Sequence, residues 1–477
     1  MESAIALNRF GLGARPDDAQ PAQPRAWLKD QLRRFEPRPA TLADIPTRAE
    51  IASVYADHIE ELRVRNTLKL QSRSMDASGM APKPGEQKPP PQYALQAARR
   101  QHVAEIGARM GTALVSQAPF AERLVHFWAN HFAISADRLT AIGLSGMLEF
   151  EAIRPNLLGS FGDMLLAVER HPAMLIYLDQ AQSIGAMSTL GSRAAARGGR
   201  KLGLNENLAR EILELHTLGV RTGYRQQDVT ELARALTGWT VAGLTRGPGP
   251  READLIGEPG AFVFADRLHE PGPRTILGRQ YPQEGEAQAR AVLQDLAVHP
   301  ATALHVATKL ARHFVADDPP ASLVDRLAAA FTASRGDLPT LYAALIDAPE
   351  SWAPDAGKFK TPWDWGVSAL RATGATTADG RMVVAMMQQL GQPVWQPGSP
   401  AGWEDVAASW MGPDALLRCV EAAQRLVQRV GDADPRSLAA RILPGTLSPS
   451  TAQVIAQADS PAQGLALLLV SPEFLRR

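Results

Sequence analysis

Between Asn205 and His216 the chain reads NENLAREILELH. Carboxylates at Glu206, Glu211 and Glu214, amides at Asn205 and Asn207 and the imidazole of His216 fall in one short stretch. Glutamate and histidine are the usual carriers of general acid–base chemistry, and amide and carboxylate oxygens are also the hard ligands a divalent cation takes. HFWANHF at 126–132 adds Asn130 and His131, and HEPGP at 269–273 adds His269. The chemistry these residues point to is acid–base or cation-assisted, with hydrolysis the first reaction class to consider. Glu206, Glu211, His131, His216 and His269 are its candidate catalytic groups, and Asn130, Asn205 and Asn207 its ligand-positioning amides.

Each residue also has a plainer role. Glu206, Arg210 and Glu214 recur every four residues, the spacing of a solvated ion-pair ladder worth a few tenths of a kcal/mol per pair. A histidine on an apolar face can be a core residue with one backbone partner. His126 and His131 are five apart, so they diverge by roughly 140° on an ideal helix and are poorly placed to share a metal. Against the plain reading, Asn disfavours helix interiors, and a polar group on a buried side needs a partner.

Upstream lies GSRAAARGGRKLG at 191–203, a basic loop leading into a helix N-terminus. Such an end favours anions, so Arg200 and Lys201 are expected to close over an anionic ligand at Asn205–Asn207. Trp239 follows a glycine stop and reads first as a core anchor. Trp403 closes the Pro/Gly-rich loop GQPVWQPGSPAGW at 391–403. Aromatic loops of that kind line ligand clefts or are pinned by a buried ring.

The elements that must position these groups are helices. Apolar residues at 208, 212 and 215, with Gly219 as the stop, give one helix from Asn205, and Gln226 to Thr237 gives the next. Helical periodicity continues along most of the chain. AFVF at 261–264 and RTIL at 274–277 read as the two strands of a hairpin. The fold class is mainly α, a large multi-helix globular domain with one small β-hairpin near 261–278. A single domain over 1–477 is expected, with sub-division into a polar-site half (1–240) and a C-terminal helical half (280–477) as the alternative. Ser72 to Gln92, heavy in Pro, Gly and Lys, reads as a disordered insertion. Asp179 to Gly203 reads as a long loop.

Lys plus Arg and Asp plus Glu both number 50, which argues against a nucleic-acid or membrane-surface role. The lone Cys419 permits no internal disulfide. The longest apolar run near the C-terminus, Leu465 to Val470, is too short to span a bilayer. No basic start followed by a long apolar region opens the chain, so it reads as cytoplasmic as written, and as exported if a leader was removed. HExxH, CxxC, GxSxG and the P-loop pattern do not occur.

Several separated stretches are similar to one family. They are LNRFGLGA at 7–14, HFWANHF at 126–132, HPAMLIYLD at 171–179, NENLAREILELHTLGV at 205–220, DVTELARALTGW at 228–239, HEPGPRTILG at 269–278, KTPWDW, SPAGW and SPEF. In these the chain resembles, nearly end to end, the bacterial family known as domain of unknown function 1800. The resemblance implies a predominantly helical fold and no particular reaction. It also implies that many relatives are exported and encoded beside a second family resembling secreted sulfatases and phosphatases, so a partner protein encoded nearby is expected. Arg225 stands where Thr or Ser is usual ahead of the second helix.

Three readings follow. The chain is an enzyme with a polar Asn/Glu/His cleft, or a binding or assembly protein docking a glycan, peptide or partner protein, or the Asn205–Asn207 segment is an internal network that fixes helix packing.

Overall fold

The computed structural model describes residues 1–77, 93–137, 141–196, 203–244, 257–354, 358–429 and 434–477. The protein is mainly α-helical, and its described strands form two small antiparallel pairs.

The helix Pro119–His131 runs through the interior, and every residue in it except Ala129 and Asn130 is buried. A helix without a solvated face carries its polar side chains into the core, where each must find a partner. Arg154 meets Glu122 through two hydrogen bonds of 2.6 and 2.9 Å. Arg123 meets Asp364 at 2.9 Å.

Two hydrophobic cores flank this arrangement. One gathers Phe120, Trp128, Phe132, Phe161, Phe314 and Tyr342, and the other Met110, Trp365, Met387, Leu426 and Leu468. The LNRFGLGA segment is the seam between them: Phe10 belongs to the first core, Leu7 and Leu12 to the second. Its carbonyls receive buried arginines, Gly11 O from Arg123 Nε at 2.6 Å and Gly13 O from Arg371 Nε at 2.8 Å.

Tyr93–Val115 packs on Arg48–Ala77 and on Gly380–Leu390, and Pro300–Phe314 packs on Ala321–Ala333. Ser72–Ala77, expected in the insertion, instead continue the Arg48–Ala77 helix. Residues 78–92 lie outside the described residues. The expected loop at 179–203 contains a 3-10 turn at Gln180–Gln182 and a helix at Thr189–Ala196.

The strand pairing differs from the expected hairpin. Phe262–Phe264 pairs with Trp239–Val241, and Arg274–Ile276 with Arg279–Tyr281. The reason is the turn Leu277-Gly278, where both residues have positive φ (51° and 77°). Such a two-residue turn closes a tight hairpin on its own following strand. That leaves Phe262–Phe264 to pair with the segment after the Gln226–Leu236 helix.

The Asn205 helix also departs from uniform 100° spacing. It is α-helical over Asn207–Glu211 and π-helical over Ile212–His216. The Thr217 hydroxyl donates to Ile212 O at 2.6 Å, five residues back, and fixes the wider turn. The helix ends there, ahead of Gly219. Before the next helix, Asp228 accepts from the Arg225 N–H at 2.7 Å and supplies the cap that the Arg225 side chain cannot. Among the described residues no helix is long and apolar enough to cross a membrane.

Candidate functional site

A cavity of about 170 Å³ opens where the Pro119–His131 and Pro300–Phe314 helices meet the start of the Pro362–Ala372 helix and the 391–405 loop. On the same measure a water needs only about 10–15 Å³, so there is room for a small organic molecule. Trp363, Trp395 and Trp403 supply aromatic walls. The Arg109 guanidinium lies over Trp363 and Trp395, 4.3 and 5.3 Å from their ring centres, and its Nε is 2.8 Å from Glu149.

The floor is a buried charge network. Asp364 sits between Arg123 (2.9 Å) and Arg477 (3.3 Å). Asp405 accepts from His313 Nδ1 at 2.5 Å and pairs with Lys358 at 3.0 Å, and Lys358 also reaches Asp317 at 2.7 Å. Burial would raise both Asp364 and Asp405. The Arg123 and Arg477 charges outweigh it at Asp364, and His313 and Lys358 at Asp405, so both carboxyls stay well below the usual range.

The walls differ from the floor in having donors to spare. His126 accepts the Trp363 indole N–H at Nδ1 (3.2 Å), and an indole can only donate. The ring proton therefore sits on Nε2. Burial, then the Arg109 charge, hold His126 well below its ordinary pKa, so it is a neutral donor. Lys309 makes no ion pair or hydrogen bond among the described residues. Burial pulls its ammonium down to about 8, against the opposing pull of Asp405. Arg312 donates through Nε to Asp317 O at 3.0 Å and has no carboxylate partner among the described residues.

Of the residues singled out from sequence, Asn130, His131 and Trp403 line this cavity. Asn130 clamps the loop: its Nδ2 donates to Trp403 O at 2.8 Å, and its Oδ1 accepts from Trp403 N at 2.7 Å. His131 donates from Nε2 to His216 O at 3.1 Å, and their rings lie 6.3 Å apart. The two segments therefore meet, but in the core: His216 is fully buried and bonded through Nδ1 to Glu169 at 2.7 Å.

The remaining residues do not line the cavity. Asn205 caps its helix by accepting from Asn207 N at 2.9 Å, and its amide donates to Leu178 O and Asp179 O, each at 3.2 Å. Glu206 accepts from Thr230 (2.7 Å) and Gln226 (2.8 Å), tying the two helices together. The Asn207 side chain is exposed. Glu211 is half-buried, and burial raises its carboxyl despite the opposing His216. His269 donates to Thr237 O at 2.9 Å, away from this cavity. Trp239 is buried edge-on to Phe262, 5.3 Å between ring centres. Arg200 and Lys201, with their expected anion closure, lie outside the described residues. Among the described residues no group of three His, Cys, Asp or Glu side chains could hold a metal ion.

The sequence reading missed Arg109, Lys309, Arg312, Asp364 and Asp405 as site residues. One signal was available: His305, Lys309 and Arg312 recur at helical spacing along an otherwise apolar run. Gly402 was also legible, within SPAGW. Its φ is +80°, and a Cβ there would strike the Asn130 carbonyl oxygen. Gly402→Ala is expected to cost about 2–4 kcal/mol, left-handed strain plus overpacking, measured by urea unfolding. A loss under about 0.5 kcal/mol, the range of an ordinary surface substitution, would show that the clamp is loose.

Fold and cavity together define a mainly helical protein with an open cavity lined by three tryptophans and by Arg109, His126, Lys309 and Arg312. The chain belongs to the family described as "Protein of unknown function (DUF1800)", whose sequence model matches residues 5–476. No curated protein and no solved structure matches it.

Proposed function

We propose that the protein is an enzyme whose substrate occupies the Trp403 cavity and whose acid–base group is Lys309. The observation that carries this is a partly buried amine lining a ligand-sized space, with no hydrogen bond or close ion pair among the described residues and only the longer-range pull of Asp405 and Glu404. Burying an unpaired ammonium costs stability, and lysines kept in such places are those whose amine exchanges a proton near neutral pH. His126 presents its Nε2–H as a neutral donor. Proton transfer through Lys309, with His126 donating a hydrogen bond, suits hydrolysis. Asn130 and His131 shape the wall. Asn205, Glu206, His216 and His269 are engaged in bonds that hold the neighbouring elements, and Asn207 and Glu211 stand apart from the cavity.

A second reading is favoured by one observation. Trp403, in the cavity lining, has the half-exposed Trp410 ring beside it at 5.9 Å, an aromatic pair that suits the face of a sugar ring. On that reading the cavity binds a glycan or peptide end without changing it.

Turnover separates the two. Purified protein is incubated with a bacterial small-molecule extract, and masses are followed over time. An enzyme depletes a compound and forms a product at a rate that falls about 10²–10⁴-fold in Lys309→Met. Retention of a compound without conversion, unchanged by the substitution, would favour the binding reading and end the catalytic one.

A further inference from the structure

Apart from Glu404 at the mouth, the cavity's free hydrogen-bonding groups are donors, and this bears on what the substrate carries. Resting on the reading of this cavity as the substrate site, we infer that the bound molecule presents an oxyanion, a phosphate, sulfate or carboxylate, to Arg109, His126, Lys309 and Arg312. These four come from three helices, Tyr93–Val115, Pro119–His131 and Pro300–Phe314, and all line the same space. Arg109 is bonded only through Nε to Glu149 among the described residues, so its two terminal nitrogens are left for a ligand. His126 offers Nε2–H because the Trp363 indole occupies Nδ1. Lys309 has no partner among the described residues, and Arg312 none beyond the carbonyl on its Nε.

The acceptors facing them are already engaged. Asp364 and Asp405 are held by Arg123, Arg477, His313 and Lys358, and both ends of the Asn130 amide are held by Trp403. Glu404, exposed at the mouth, is the lining carboxylate without a side-chain partner among the described residues. A neutral or cationic ligand would leave several desolvated donors unmatched, a penalty of about 1–3 kcal/mol each. An oxyanion matches them with charge-assisted hydrogen bonds in a water-poor wall.

The test uses the full chain and simple anions. Lys309 is acetylated with an amine-directed reagent, and the modification rate at that residue is read by mass spectrometry. Inorganic phosphate, sulfate and acetate are compared with chloride at equal ionic strength. At least one oxyanion is expected to slow the labelling of Lys309 while leaving surface lysines unaffected, and the preferred anion names the group. Arg312→Gln, at a half-exposed position that tolerates the change, should raise the half-protecting concentration at least about tenfold. Equal protection by chloride, or by none of the anions, would overturn the inference. If no anion protects while turnover still depends on Lys309, the enzyme reading stands and the oxyanion falls. If anions protect but Lys309→Met turns over normally, the reverse holds.

Discussion

Asp364→Asn loses about 3–5 kcal/mol of stability, the range for breaking a buried ion pair. The substitution keeps the shape and removes the charge. Arg123 and Arg477, buried on either side of it, then have no carboxylate closer than Asp405, which is 3.7 Å from Arg477. Arg123 cannot relax toward solvent, because its Nε is fixed on Gly11 O in the seam between the two cores. Guanidinium unfolding curves of the two proteins measure the difference, and a loss below about 1 kcal/mol, the worth of a surface pair, would show the network to be solvated. The pH dependence follows with a definite sign. The folded-state pKa values of Asp364 and Asp405 lie below their unfolded values near 3.9. Their contribution is therefore complete above about pH 4 and is lost as pH falls below it. The wild type should unfold steeply in acid, and Asp364→Asn less steeply.

Lys309→Met should stabilise the protein while removing the turnover proposed for Lys309. The folded-state pKa of Lys309 is about 8, below the usual lysine value, so its burial opposes folding at neutral pH. Methionine fills similar space without a charge. The sign of the linkage is the opposite of the carboxylates'. Between about pH 8 and 10.4 the unfolded state holds more protons on this amine, so wild-type stability rises with pH across that window relative to the variant. The two proteins should differ most at pH 7 and converge near pH 10, by urea unfolding at each pH. A variant less stable at pH 7 would mean that the ammonium has a partner, and would remove the basis for treating it as a working group.

The fold was legible where periodicity was strong, and the site was legible only in part. Helices with a clear apolar stripe, such as Gln226–Leu236 and Pro300–Phe314, follow from their spacing. At Ile212–His216 the helix widens to a π-turn that the spacing did not show, yet His216 does lie on the buried side, where it meets Glu169. Spacing failed at the hairpin because Leu277, a residue that rarely takes positive φ, does so here. Density of polar residues was a weaker guide to the site than it looked. The Asn205–Asn207 cluster is polar because two helices and a loop are joined there, and Asn205 and Glu206 bond to that joint. The cavity residues are scattered singly through apolar helices, from Arg109 to Asp405, and only the fold brings them together. Asn130, His131 and Trp403 were visible in advance because they sit in short motifs beside aromatic rings.

The amide clamp on Trp403 has a consequence for motion. A segment with neither strand nor extended helix ordinarily exchanges its backbone protons within seconds to minutes. Here the Trp403 N–H is tied to a side chain of the largely buried Pro119–His131 helix, so its deuterium uptake should be as slow as that of the helix itself. If the cavity takes a guest as proposed, its exchange should depend on rim side chains such as Arg312 and Glu404 rather than on movement of this backbone.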